Sequence, residues 1–120
     1  MSSRALSYVK LIINYCRDAI EIGKSFGNSY EAFLKEKNSQ YSISFCIEQI
    51  GELAKKLRDD EGYADKYPDI PWNKIAGMRN RIAHGYNTID LELVFYVCIN
   101  NLPELAEKFK SILNTESNTQ

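Results

Sequence analysis

The sequence predicts an all-α protein: one domain, folded as an antiparallel bundle of four or five helices. Three observations carry this. Apolar residues recur at steps of three and four along most of the chain, the spacing that lines one face of a helix. No segment alternates apolar and polar residues as a half-buried strand would. The 120 residues contain no internal repeat, low-complexity block or Gly/Ser linker, so they form a single domain with a modest core. That domain is expected over residues 1–114, with residues 115–120 a polar, flexible tail.

The elements follow in order. One apolar stripe runs Leu6, Val9, Ile13, Cys16 and Ile20, and a second runs Ala5, Tyr8, Ile12, Tyr15, Ala19, Ile22 and Phe26. Together they make a face too wide for one ordinary core contact. One stripe is therefore expected to face the core and the other a partner subunit. Gly27 and Asn28 tolerate left-handed geometry and end this helix. Ser29 is a candidate cap for a short helix over residues 30–37.

A long helix over residues 42–57 would bury Ile43, Cys46, Ile47, Ile50, Leu53, Ala54 and Leu57. Gly51 inside it costs about 1 kcal/mol against Ala unless another backbone packs close there. Residues 59–71 are polar and rich in turn formers, and read as an ordered loop. Pro71 suits the first turn of a helix over residues 72–84, in which Trp72 is core and Gly85 the stop. Residues 87–90 offer caps for the last helical run, from Leu91 through Val94, Cys98, Leu102, Leu105, Phe109 and Ile112. Pro103 lies within that run and should kink or split it.

Composition narrows the function. No run approaches the roughly 18 apolar residues of a membrane helix, and Lys10 interrupts any signal-peptide core near the start. A cytoplasmic protein without membrane contact is expected. Cys16, Cys46 and Cys98 are odd in number and widely spaced, which suits buried free thiols rather than a disulfide framework. With one histidine in the chain, a zinc site is not expected, and no other metal or cofactor is implied. A net charge of −1 weighs mildly against a protein that coats nucleic acid, though not against a small cationic cleft.

The segment that carries chemistry is Met78-Arg79-Asn80-Arg81-Ile82-Ala83-His84-Gly85-Tyr86. Imidazole exchanges protons near neutral pH, and the guanidinium fork matches phosphate oxygens. The two could act together on an RNA phosphodiester, where the 2′-hydroxyl attacks phosphorus and the 5′-oxygen leaves. His84 would then be general base or acid, and Arg79 would stabilise charge on the phosphorane. On an ideal helix Arg79 and His84 point roughly 140° apart. Asn80 and Arg81 share the His84 face, where Asn80 could orient the imidazole. Convergence of Arg79 and His84 requires a distorted turn near Gly85, a long Arg reach, or a two-fold partner. A homodimer would concentrate Arg79, Arg81 and Lys74 in one cleft. The plainer reading stays open: a histidine in a last helical turn complements the macrodipole, and Tyr86 can simply anchor the turn.

The pattern extends further. Ile70-Pro71-Trp72 through Arg79-Asn80, then His84-x-Tyr86, Asp90 and Leu102-Pro103-Glu104-Leu105, resemble in order the HepT-like toxins of the HEPN superfamily. Upstream, Ile47-Glu48-Gln49-Ile50-Gly51-Glu52 is similar to that family's Ile-Gly-Glu segment, and Phe33-Leu34 also has a counterpart. The resemblance implies a HEPN-like helical bundle and a homodimer with its cleft between protomers. The activity it implies is that of a metal-independent endoribonuclease toxin, acting on tRNA or mRNA. Carried over by position, Arg79 and His84 are the catalytic pair, and Asn80 fills the polar place after the arginine. Tyr86 matches the tyrosine on which such toxins are silenced by AMPylation, by an MntA-type nucleotidyltransferase antitoxin. The competing reading is a non-catalytic HEPN subunit that binds a nucleotidyltransferase or a nucleotide, which the acidic balance favours slightly. Glu48 and Glu52 could border the cleft, or simply lie on a solvated face.

Overall fold

Ser2 starts the first helix: its hydroxyl accepts from the Ala5 amide at 3.0 Å, an N-cap that satisfies one orphan donor. The computed structural model describes residues 2–83 and 88–118. In it α1 covers Ser3–Ser25 and ends in Gly27 and Asn28, whose φ values of 63° and 57° are left-handed. Ser29 caps α2 (Tyr30–Phe33), accepting from the Ala32 amide at 3.2 Å. Helix α3 spans Lys37–Asp60 and begins well ahead of the expected position. The early start is held by Gln40, whose buried amide donates to the Phe33 and Leu34 carbonyls.

Much of the wide α1 face is covered within the chain, while Tyr8, Tyr15 and Ile22 of the second stripe stay partly exposed. Val9, Ile13 and Cys16 of one stripe and Ala5, Ile12 and Ala19 of the other are all buried within a single chain. Helix α1 packs against both α3 and the C-terminal helix, so each stripe has its own intramolecular neighbour. The arrangement is antiparallel. Ser2 at the start of α1 donates to Glu61 just past α3, and Cys98 before the last helix donates to the Ala19 carbonyl late in α1. The three cysteines are buried free thiols, as the sequence suggested. Burial lifts Cys16 to about 12 and Cys98 to about 11, values that leave both protonated and inert.

Inside the expected loop lies a one-turn helix, α4 (Tyr63–Lys66), entered through Gly62 at φ 71°. Next, where one helix was expected over residues 72–84, there are two: α5 (Trp72–Ala76) and α6 (Met78–Ile82). Gly77, the weakest helix former of the run, sits at the break. Trp72, Ile75, Met78 and Ile82 still bury one continuous face, and Trp72 stacks edge-on against Phe109 at 5.7 Å. Gly51 shows why α5 lies where it does. A Cβ there would stand 3.0 Å from the Ile75 carbonyl oxygen, so the backbone approach anticipated at this glycine is present.

The last run is also divided. Helix α7 (Leu91–Tyr96) is capped by Asp90, which accepts from the Leu93 amide at 3.1 Å. A π-helical turn over Val97–Asn101 follows, and then α8 (Leu102–Asn118). Pro103 donates no hydrogen bond and its ring crowds the carbonyl four residues back. The wider π turn immediately ahead accommodates it, so the split expected at this proline is observed.

The expected loose tail is a correction. Helix α8 runs on to Asn118, and Glu116 is only 1% exposed. Its carboxylate accepts from the Tyr67 hydroxyl at 2.5 Å and the Tyr63 hydroxyl at 3.2 Å, with Lys66 Nζ at 2.7 Å. Burial works to raise the carboxyl pKa, but the hydrogen bonds from Lys66, Tyr67 and Tyr63 outweigh it and bring it below the ordinary 4.5. A polar end thereby becomes part of the folded unit. Because the folded pKa is depressed, this stabilisation is complete above pH 4.5 and is lost as pH falls through the lower folded value. Glu116→Ala is expected to cost about 3 kcal/mol in urea unfolding, since two phenols lose a charged acceptor. Glu116→Gln should also lose the corresponding acid limb of the stability profile. An unchanged acid limb in Glu116→Gln would show that this group does not carry it.

Candidate active site

The motif is held by backbone on both sides. Buried Met78 and Ile82 fix α6 to the core and turn Arg79, Asn80 and Arg81 toward solvent. The helix ends at Ile82. Ala83 takes extended geometry and pairs with Ile89 in an isolated antiparallel bridge, and the Asp90 amide donates to the Ile82 carbonyl at 2.6 Å. His84 and Tyr86, with Gly85 and Asn87, lie outside the described residues. Because α6 stops before His84, the reasoning from a helix continuous through residue 84 does not apply. The shared face expected for Asn80, Arg81 and His84 loses its premise with it.

Arg79 is placed clearly. Its Nη1 lies 3.9 Å from Glu52 Oε1, with both side chains about half exposed. This follows from α3: Gly51 admits the α5 backbone, and the next residue, Glu52, borders the α6 residue that matters. A long, exposed ion pair of this kind contributes well under 1 kcal/mol, so Arg79 can exchange Glu52 for a phosphate at little cost. Glu52 was identifiable in sequence only through the Ile-Gly-Glu resemblance, because its spacing alone reads as a solvated face. Arg58 reinforces the same corner, donating to Asn73 Oδ1 at 3.0 Å from α3 to α5.

Arg81 points elsewhere. With Lys74 and Lys108 it lines a cavity of about 360 Å³ floored by Ile75, Met78, Val97 and Leu102. Lys108 and Tyr96 carry no local sequence signal for this role, since they come from α8 and α7. Among the described residues no group of three or more His, Cys, Asp or Glu side chains could hold a metal ion. No described helix is long and apolar enough to cross a membrane.

The family model described as "Ribonuclease HepT-like" matches residues 12–112 of this chain. The chain belongs to the HepT-like ribonuclease family. Its enzyme class is accordingly that of an endoribonuclease, as the resemblance implied. Two proteins of Methanocaldococcus jannaschii, each named as a candidate RNase, are 34% identical to it. One match covers 90% of this chain and 84% of the relative, the other 85% and 81%. A protein of Thermococcus cleftensis named "Probable ribonuclease HepT" is 30% identical over 79% of this chain and 86% of its own length. No solved structure gives a significant match.

Proposed function

We propose that this protein is a metal-independent endoribonuclease toxin of a toxin–antitoxin pair, with Arg79 and His84 as its catalytic pair. The observation that carries the reading is the family match across both motif residues, joined to an Arg79 that is solvent-facing and whose ion pair among the described residues, to Glu52, is weak and exposed. His84 takes the proton from the ribose 2′-hydroxyl or delivers one to the leaving 5′-oxygen. The 2′-oxygen bonds to phosphorus as the P–O5′ bond breaks, leaving a 2′,3′-cyclic phosphate and a 5′-hydroxyl. Arg79 stabilises the equatorial oxygens as charge builds on them. Asn80 and Arg81, exposed on the same short helix, would support substrate binding. Substrates would be tRNA or mRNA. AMPylation of Tyr86 by a nucleotidyltransferase antitoxin would add phosphate charge beside the cleft and repel RNA.

A homodimer is supported by α3. Tyr41, Phe45, Glu48 and Glu52 recur at steps of four, three and four, so they share one helix face. Tyr41 is 55% exposed and Phe45 52%, a pair of large rings that solvent disfavours. Phe45 meets Tyr15 of α1 edge-on at 6.0 Å, beside an open depression between the two helices. This aromatic face leads along α3 to Glu52 and Arg79. Two copies joined through it would bring two sets of motif residues toward one cleft.

Purified protein made without its antitoxin should cleave bulk tRNA in EDTA. His84→Ala is expected to lose about 10²–10⁴ in rate and Arg79→Ala about 10²–10³, both remaining folded. No cleavage by a folded, unmodified wild type would overturn the toxin reading and leave the nucleotide- or partner-binding subunit in its place. In sedimentation, wild type should run as a dimer and Phe45→Asp as a monomer. A dimeric Phe45→Asp would remove this face from the interface.

A further inference from the structure

The cavity beneath Arg81 is not explained by chemistry at Arg79 and His84. It lies between α5–α6 on one side and the π turn with the start of α8 on the other. Its wall carries three cations, Lys74, Arg81 and Lys108, against one carboxylate, Glu104. The chain as a whole carries a net charge of −1, so this concentration of positive charge runs against the overall balance. Glu104 reaches Lys108 only at 4.0 Å, and its side chain is 71% exposed. An ion pair so open competes weakly with a bound anion.

Tyr96 stands at the rim, 58% exposed. A large ring left in water beside three cations matches the arrangement that binds single-stranded nucleic acid: charge for the backbone, an aromatic face for a base. The π turn contributes directly, because Tyr96, Val97, Asn101 and Leu102 all line the groove and lie in or next to it. Such turns are frequent at functional sites. Arg81 links the groove to the motif, two residues from Arg79 on the same helix.

We propose that this groove is a second RNA-contact site, holding backbone phosphates beyond the cleaved bond on Arg81, Lys74 and Lys108 and stacking a base on Tyr96. The proposal rests on the ribonuclease reading, and the groove would give that enzyme affinity and register on single-stranded substrate rather than chemistry. It also answers the charge objection, since an acidic protein can bind RNA through one local cationic groove.

The test is fluorescence anisotropy with a labelled 2′-O-methyl RNA octamer, which lacks the attacking hydroxyl, titrated with the full chain in EDTA. Tyr96→Ala combined with Lys108→Gln should bind about tenfold to a hundredfold more weakly than wild type, from lost stacking and lost phosphate contact. The salt dependence of log affinity should fall by about 0.7 for the one phosphate released. Circular dichroism checks that the variant is folded. Equal affinity and slope in the folded variant, or no binding by wild type, overturns the groove. Cleavage of tRNA is measured alongside. Cleavage with groove-independent binding removes the groove alone, and groove-dependent binding without cleavage removes the ribonuclease reading alone.

Discussion

Where α5 crosses α3, the Ile75 carbonyl comes so near Gly51 that any side chain there would press on it at 3.0 Å. That approach is the constraint on which the site depends. A glycine in the middle of a long helix gives up about 1 kcal/mol of helix propensity, and here it permits two backbones to meet. With α5 seated, Trp72 and Ile75 reach the core, Gly77 turns the chain, and α6 presents Arg79 beside Glu52. The Ala83–Ile89 bridge and the Asp90–Ile82 hydrogen bond then fix the chain on both sides of the motif.

Contacts at the opposite end act on the same helices. Glu116 ties the C-terminal turns of α8 to α4 through Tyr63, Lys66 and Tyr67. The Trp72 indole donates to the Tyr67 carbonyl at 2.9 Å, which joins α4 to the start of α5. An ionised carboxylate at the end of the chain is thus connected, through two aromatic residues, to the helix pair that carries the motif. Stability and site geometry share parts.

How far this could be read from sequence depends on the range of the interaction. The long helices are legible because their periodic burial is local: Ile43, Ile47, Ile50, Leu53 and Leu57 declare one face of α3 unaided. So are Ser29 and Asp90 as caps, Trp72 as core, and the break ahead of Pro103. Glu116 is not legible, because its partners are 49 and 53 residues away and an acid in a polar tail normally faces water. The α1 face is only partly legible for a similar reason: spacing counts stripes without saying how much of each α3 and α8 cover within the chain. Gly77 gave no warning of a break, since a single glycine is often tolerated in a helix. In the site, Arg79 and its two neighbours stand out in sequence. The groove around Arg81 draws on Lys74, Tyr96 and Lys108 from three separate elements, which no motif brings together.

The most direct measurement is tRNA cleavage by Gly51→Ala, at a temperature where circular dichroism shows the variant folded. The methyl group touches neither Arg79 nor substrate, and can act only by displacing α5 and α6 from α3. The Ile75 backbone must give by a few tenths of an ångström to admit the methyl. A displacement near 1 Å at a reacting group can cost about 10²-fold in rate, so the account predicts a loss of about threefold to tenfold in folded protein. Full activity in folded Gly51→Ala would contradict it, showing that the close crossing of α3 and α5 does not position the site.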